Sequence, residues 1–254
     1  MSVLEKENPS IINSITLYYL ADLINAPYGP KDSLELIKII NFNINYLKFI
    51  LGCDYIVIAC NSASANNFIK NKYTEMINPT SDYALKNHYK KSLLFATEAT
   101  VKSKIYEQSF AKHGLELDSY ALPLLANLIE EGEKQDIIQD YIRLEIQKLK
   151  CNKNYSFRNY DNFILGCTHY PLVKNIFEKY LFENHREKVT LVNILDPAIP
   201  VSIKILKDIK NFTIINNNDN NKINFILTKD SKNFKEKVKE MFYKYEYIFK
   251  IESL

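Results

Sequence analysis

The chain has 254 residues, long enough to bury a substantial core, and its 46% hydrophobic and 25% charged content is that of a globular protein. No apolar run approaches the roughly 20 residues needed to cross a bilayer, and an N-terminus carrying Glu5 and Glu7 does not read as a secretory signal. The net charge of +3, with lysines interleaved among acidic residues, leaves no basic tract of the kind that marks a nucleic-acid footprint, so a cytoplasmic protein with no nucleic-acid or membrane partner is expected.

In chain order, residues 15–20 (ITLYYL) and 55–59 (YIVIA) are short apolar, β-prone runs and read as strands buried on both faces. Between them, residues 33–51 carry Leu34, Ile37, Ile40, Ile44, Leu47 and Leu51 at helical spacing, with Asp32 or Ser33 as the cap. A strand at 93–96, a helix at 101–112, a strand at 115–121 and one or two helices across 125–150 follow. The series continues with a strand at 162–165, a helix at 173–182, a strand at 190–194 and a helix at about 200–209. An Asn-rich surface loop at 216–221, a strand at 223–227 and a last helix at 232–243 complete it. Strands alternating with helices predict an α/β fold with parallel sheets.

One internal echo stands out. Tyr55-Ile56-Val57-Ile58-Ala59-Cys60-Asn61-Ser62 and Asn162-Phe163-Ile164-Leu165-Gly166-Cys167-Thr168-His169 share a plan of apolar strand, small residue, cysteine, polar residue and helix. This predicts two similar doubly wound parallel-sheet domains, with a cysteine beyond the carboxyl end of a strand in each, where open α/β sheets bind ligands.

A cysteine at such a strand-to-helix junction lies near the positive end of a helix dipole, which favours the thiolate. None of the four cysteines forms a C-x-x-C pair, so neither a zinc ribbon nor a dithiol redox motif is suggested and free thiols are expected. Cys53 and Cys151 read as small buried hydrophobes. Cys60 and Cys167 are followed by polar groups that suit a site better than a closed core.

The stretches Ala59-Cys60-Asn61-Ser62-Ala63-Ser64-Ala65 and Leu165-Gly166-Cys167-Thr168-His169-Tyr170-Pro171-Leu172-Val173 resemble the two cysteine motifs of bacterial glutamate racemases. Further matches come in the family's order: Ala26-Pro27-Tyr28-Gly29, Phe95-Ala96-Thr97-Glu98-Ala99-Thr100-Val101, Leu128-Ile129-Glu130-Glu131-Gly132, Asp196-Pro197-Ala198 and Phe225-Ile226-Leu227-Thr228-Lys229-Asp230.

The resemblance implies a first α/β domain of residues 1–90 plus 195–254 carrying Cys60, a second of 91–194 carrying Cys167, and an active site in the cleft between them. It implies interconversion of L- and D-glutamate without cofactor or metal, supplying D-glutamate for peptidoglycan. Cys60 would act on D-glutamate and Cys167 on L-glutamate, with His169 and Glu130 assisting Cys167 and Glu131 competing for the last assignment. Pro27, Tyr28, Gly29, Asn61, Ser62, Thr97, Thr100 and Thr168 would contact substrate. The reading allows a homodimer. A related aspartate or other amino-acid racemase is the alternative.

The chain departs from the pattern at its start. Glutamate racemases open with a strand ending in Asp-Ser-Gly-x-Gly-Gly, whereas Met1-Ser2-Val3-Leu4 matches the helix that follows that loop. Translation from an upstream start and an impaired homologue that binds ligand without turnover are the two explanations.

Overall fold

A computed structural model describes residues 15–65, 73–152, 155–183, 193–209 and 222–252. The expectations for Met1 to Leu4 and for the Asn-rich run at 216–221, and most of the strand expected at 190–194, lie outside these residues. In their described parts, two compact units divide the chain, one from Met1–Tyr28, Lys38–Ile56 and Ser202–Leu254 and the other from Gly29–Ile37 and Val57–Val201.

The first unit holds a parallel three-stranded sheet, ordered β1 (Leu17–Ala21), β6 (Lys222–Leu227), β7 (Glu246–Ile251). Ile223 and Phe225 of β6 point to one face and pack with Val238 of helix α10 (Lys232–Met241) and the rings of Phe234 and Phe242. β1 is only half-buried, with Tyr19 46% exposed, so the expectation of a strand covered on both faces is corrected. Asp32 caps helix α1 (Ser33–Asn45) by accepting hydrogen bonds from the backbone N–H groups of Leu34 and Glu35 at 2.8 and 3.0 Å. The periodic run then widens into a π-type turn at Tyr46–Ile50, closed by the Leu51 N–H donating to the Tyr46 carbonyl, rather than continuing as α-helix.

The second unit is built on a parallel four-stranded sheet ordered β3 (Glu116–Ala121), β2 (Lys91–Ala96), β4 (Asn162–Gly166), β5 (Ile194–Leu195). Alternation along the central strands sends Leu93, Phe95, Phe163 and Leu165 to one face and Leu94, Ala96 and Ile164 to the other. The first face packs against Ile138, Ile142, Ile146 and Leu149 of α7 (Gln135–Cys151) and against Ile176, Phe177 and Leu181 of α8 (Lys174–Glu183). The second packs against Ile77 and Ala84 of α3 (Ile77–Lys86) and Tyr106 and Phe110 of α5 (Ile105–Ala111). Helices on both faces make this a doubly wound unit.

Three expectations change here. Gly29–Ile37, the described parts of 57–90 and residues 195–201 cluster with the second unit, not with the chain ends, and Ile77, Ala84 and Leu195 complete the second core. The run at 55–59 forms no strand among the described residues; only Val57 bridges Thr74, with the Ile58 N–H donating to the Thr74 carbonyl at 2.8 Å. Apolar β-branched sequence supplies a surface that fits a sheet, but a ladder needs a matching run of partner residues, and among the described residues this one meets a single partner. The helix expected at 101–112 is also split, into α4 (Glu98–Ser103) and α5, by Lys104 in a left-handed conformation with φ 56°. No helix among the described residues is long and apolar enough to cross a membrane.

Candidate active site

Cys167 lies immediately beyond the carboxyl end of β4 and is buried. The strand reaches this point through Gly166, where an added Cβ would run into Leu94 Cδ1 and lie 3.2 Å from Ala96 Cβ, so the close approach of β4 to β2 demands glycine. The chain then turns through Thr168, which is exposed, and His169 into a short 3-10 turn at Tyr170–Val173. Nδ1 of His169 stands 3.7 Å from Cys167 Sγ, and Nε2 stands 2.5 Å from Glu130 Oε2. Glu130 projects from α6 (Leu125–Glu131), a helix closed by Gly132 at φ 72°. It is Glu130, not Glu131, that reaches the histidine.

The hydrogen bonds to Cys167 and then Glu130 outweigh burial and raise the His169 imidazole to about 9. At neutral pH His169 is therefore an imidazolium, held by a carboxylate on one nitrogen and facing the Cys167 sulfur with the other. A proton can pass between that nitrogen and that sulfur.

Cys60 occupies the N-cap position of the short helix α2 (Asn61–Ser64), with extended backbone at φ −129° and ψ 123°. Burial pushes its thiol up to about 11, against backbone hydrogen bonds from Ala63 and Ser62 that pull it down, and the nearby charge of Cys167 pushes it further up. The expectation that a helix N-terminus alone would favour the Cys60 thiolate is corrected: desolvation wins. Both cysteines belong to the second unit, and they lie within electrostatic reach of each other.

Three hydroxyls line up beside α2. Ser62 Oγ lies 2.9 Å from Thr97 Oγ1, which lies 3.1 Å from Thr100 Oγ1. Thr97 ends β2 and caps α4, its side chain accepting the Thr100 N–H at 3.4 Å. A Cβ at Gly29 would lie 3.7 Å from Thr97 Cβ, which brings the Gly29 backbone to the same threonine. Asn61 is 2% exposed; its Oδ1 accepts from Tyr106 Oη at 2.5 Å, and its Nδ2 has no hydrogen-bond partner.

No family model matches the chain. Among curated proteins it is 31% identical over 248 residues to the glutamate racemase of Sulfurihydrogenibium sp., covering 93% of this chain and 87% of that protein. The chain belongs to the glutamate racemase family. Its fold agrees: a glutamate racemase isoform from Bacillus anthracis superposes with a TM-score of 0.81 at 23% identity, covering 99% of this chain and 91% of that one. The Francisella tularensis glutamate racemase, solved in complex with D-glutamate, superposes with a TM-score of 0.76 at 24% identity, covering 98% and 92%.

Of the residues singled out by the glutamate racemase motifs, Cys167, His169 and Glu130 form one connected group, and Gly29, Ser62, Thr97 and Thr100 form a second. Pro27 and Tyr28 belong to the first unit. There the Tyr28 phenol donates to Asp22 Oδ2 at 2.7 Å, alongside the Asn25 and Asn43 amides. Burial works to raise the Asp22 pKa, but these donors outweigh it and hold the carboxyl below the ordinary carboxylate range. A pocket at this place is lined by Asp22, Asn25, Lys38, Phe42, Asn43 and Thr228. Cys151 is exposed at the end of α7 and Cys53 is half-buried, so neither fills a closed core as expected. Tyr106 was not singled out in the sequence, where it reads as one more apolar position of a helix, yet it is fully buried and bonded to the residue after Cys60.

Proposed function

We propose that this protein interconverts L- and D-glutamate by moving a proton at Cα between two thiol groups, Cys60 and Cys167, without an organic cofactor. Its product D-glutamate would serve peptidoglycan synthesis in the cytoplasm. The observation that carries the reading is the Cys167–His169–Glu130 chain of contacts, in one compact unit with Cys60 and in a member of the glutamate racemase family.

Racemisation removes the α-proton from one face and returns a proton to the other, so one thiolate and one thiol are needed on opposite faces, trading roles with direction. Starting from L-glutamate, Cys167 takes the α-proton and Cys60 gives its own to the opposite face. Starting from D-glutamate the roles reverse. His169, charged near neutral pH, can replace the proton that Cys167 gives up in the D-to-L direction, and in the L-to-D direction its charge lies beside the sulfur that takes the α-proton. The barrier lies in the weak acidity of the α-proton, because negative charge develops beside a carboxylate. Hydrogen-bond donors directed at that carboxylate lower it, and Asn61, Ser62, Thr97, Thr100 and Thr168 are the donors in this proposal.

Deuterium entry at Cα tests the reading. Wild-type protein in deuterated water should exchange the α-proton of both enantiomers of glutamate and equilibrate them. Cys60→Ser should abolish racemisation and lose exchange from D-glutamate while keeping exchange from L-glutamate, and Cys167→Ser should do the opposite. Two variants with the same enantiomer preference would refute the two-base assignment, and wild-type protein inert toward glutamate would refute the substrate.

A further inference from the structure

Tyr106, the buried partner of Asn61, lies outside the motifs that the proposed reaction uses. Tyr106 is fully buried on α5, and its hydroxyl meets Asn61 Oδ1 at 2.5 Å. In this pair the phenol O–H donates and the amide oxygen accepts. Burial pushes the phenol far above its ordinary value, so it remains an O–H donor at any working pH. With Oδ1 held by Tyr106, both hydrogens of Asn61 Nδ2 are left over, in a side chain that is 2% exposed. A buried amide with no acceptor is costly, and proteins seldom tolerate one without a use. Asn61 directly follows Cys60 and opens α2, and the Ser62 and Thr97 hydroxyls lie beside it.

We propose that Tyr106 is a positioning residue, whose hydroxyl locks the Asn61 amide so that Nδ2 is presented to a carboxylate oxygen of the amino-acid substrate next to Cys60. The inference rests on the racemase reading for the identity of the acceptor, but the lock itself is a property of the unliganded protein. Without the phenol O–H the amide is free to turn about its last bond, and half of its orientations present Oδ1, an acceptor that repels a carboxylate.

A double-mutant cycle tests the coupling. Tyr106→Phe keeps the ring and removes one oxygen, and should lower kcat/KM for glutamate in both directions by about 10- to 100-fold, the usual worth of a hydrogen bond to a charged group. In an Asn61→Ala background the same substitution should have no further effect, because the residue it acts through is gone. Equal losses in both backgrounds, or no loss in either, overturn the proposal. Crystal structures of unliganded wild type and Tyr106→Phe form the second arm, which needs no turnover and reports directly on folding. The Asn61 amide should turn in the variant to give Oδ1 a new donor, and an amide that keeps its orientation without the phenol overturns the lock. Wild-type protein that neither binds nor turns over glutamate would refute the racemase reading, and the crystallographic arm would still decide the lock.

Discussion

His169 Nε2 lies 2.5 Å from Oε2 of Glu130, a residue 39 positions earlier on helix α6. This contact, together with the sulfur on the other ring nitrogen, holds the imidazole up to about 9. Glu130→Gln keeps the shape and a hydrogen-bonding group but removes the charge. The His169 pKa, followed by NMR, should fall part of the way towards 6.5, since Cys167 is the larger cause and remains. Exchange from L-glutamate should fall on the order of 10-fold, less than the roughly 100-fold of a direct acid–base group. Stability should respond with a definite sign. A histidine whose pKa is raised on folding stabilises the protein fully below its unfolded value and ceases to do so as pH rises through about 9. The stability gap between wild type and Glu130→Gln should therefore be open in mildly acidic buffer and close near pH 9. A gap that widens with pH would contradict the ion pair.

Cys60 gives a second pH prediction. Its thiol is pushed up to about 11 by burial, so the unliganded protein carries it almost wholly protonated at neutral pH. That state suits the donor half of the reaction, from L-glutamate, and must lose a proton before acting on D-glutamate. The rate of Cys60 alkylation by iodoacetamide, measured by peptide mass spectrometry, should rise about tenfold per pH unit from about pH 7 to about pH 10 without levelling. Exchange of the D-glutamate α-proton by Cys167→Ser, which rests on the Cys60 thiolate, should climb over the same pH range, while kcat/KM for the two enantiomers stays equal because they have the same free energy. Cys60 keeps partial exposure, so an alkylation plateau near neutrality would show that the backbone donors of α2 outweigh desolvation and would overturn this prediction.

The sequence made the centre of the second unit plain because Leu93 to Ala96 and Phe163 to Leu165 are apolar on both faces, as strands covered by helices must be. The same signal misled at Tyr55 to Ala59, since residue type reports what a strand can cover and not whether a neighbour is present to pair with it. Helix α3 went unseen because Asn78, Pro79, Thr80, Ser81 and Asp82 hide its two core residues, Ile77 and Ala84. What starts it is Glu75, whose carboxylate accepts the N–H groups of Ile77 and Asn78. Cys167 and His169 were legible as neighbours in one motif. Glu130 could be paired with them only through family resemblance, because no local pattern links residues 39 positions apart. Tyr106 left no such trace: in a helix, a phenol bonded to an amide and a phenol packed in a core occupy the same apolar stripe.

Gly166→Ala should damage the site through the backbone that carries Cys167. The new methyl would collide with Leu94 Cδ1 and press on Ala96 Cβ at 3.2 Å, both on the adjoining strand β2. Leu94 is fully buried, so its side chain can give way only by displacing neighbours in a close-packed core. Overpacking of this kind costs about 1–3 kcal/mol, which thermal or denaturant unfolding would read as a lower midpoint. Because Cys167 is the next residue, activity should fall in both directions at temperatures where the variant is still folded. Unchanged stability would mean that β4 and β2 are farther apart than described.

Thr97 separates two uses of one hydroxyl. Its Oγ1 caps α4 through the Thr100 N–H at 3.4 Å and also meets Ser62 Oγ at 2.9 Å, so a loss of stability and a loss of substrate contact are both expected on removing it. Thr97→Val keeps the shape and deletes the oxygen; losing the cap should cost about 1 kcal/mol. Thr97→Ser restores the oxygen and deletes only the methyl. If Thr97 contributes to substrate binding, KM for glutamate should rise in Thr97→Val by about 10-fold, the worth of one hydrogen bond, and return in Thr97→Ser. The stability of the two variants should follow the cap in the same order. A Thr97→Val protein with wild-type KM and lowered stability would assign the hydroxyl to the helix alone and remove Thr97 from the proposed set of substrate donors.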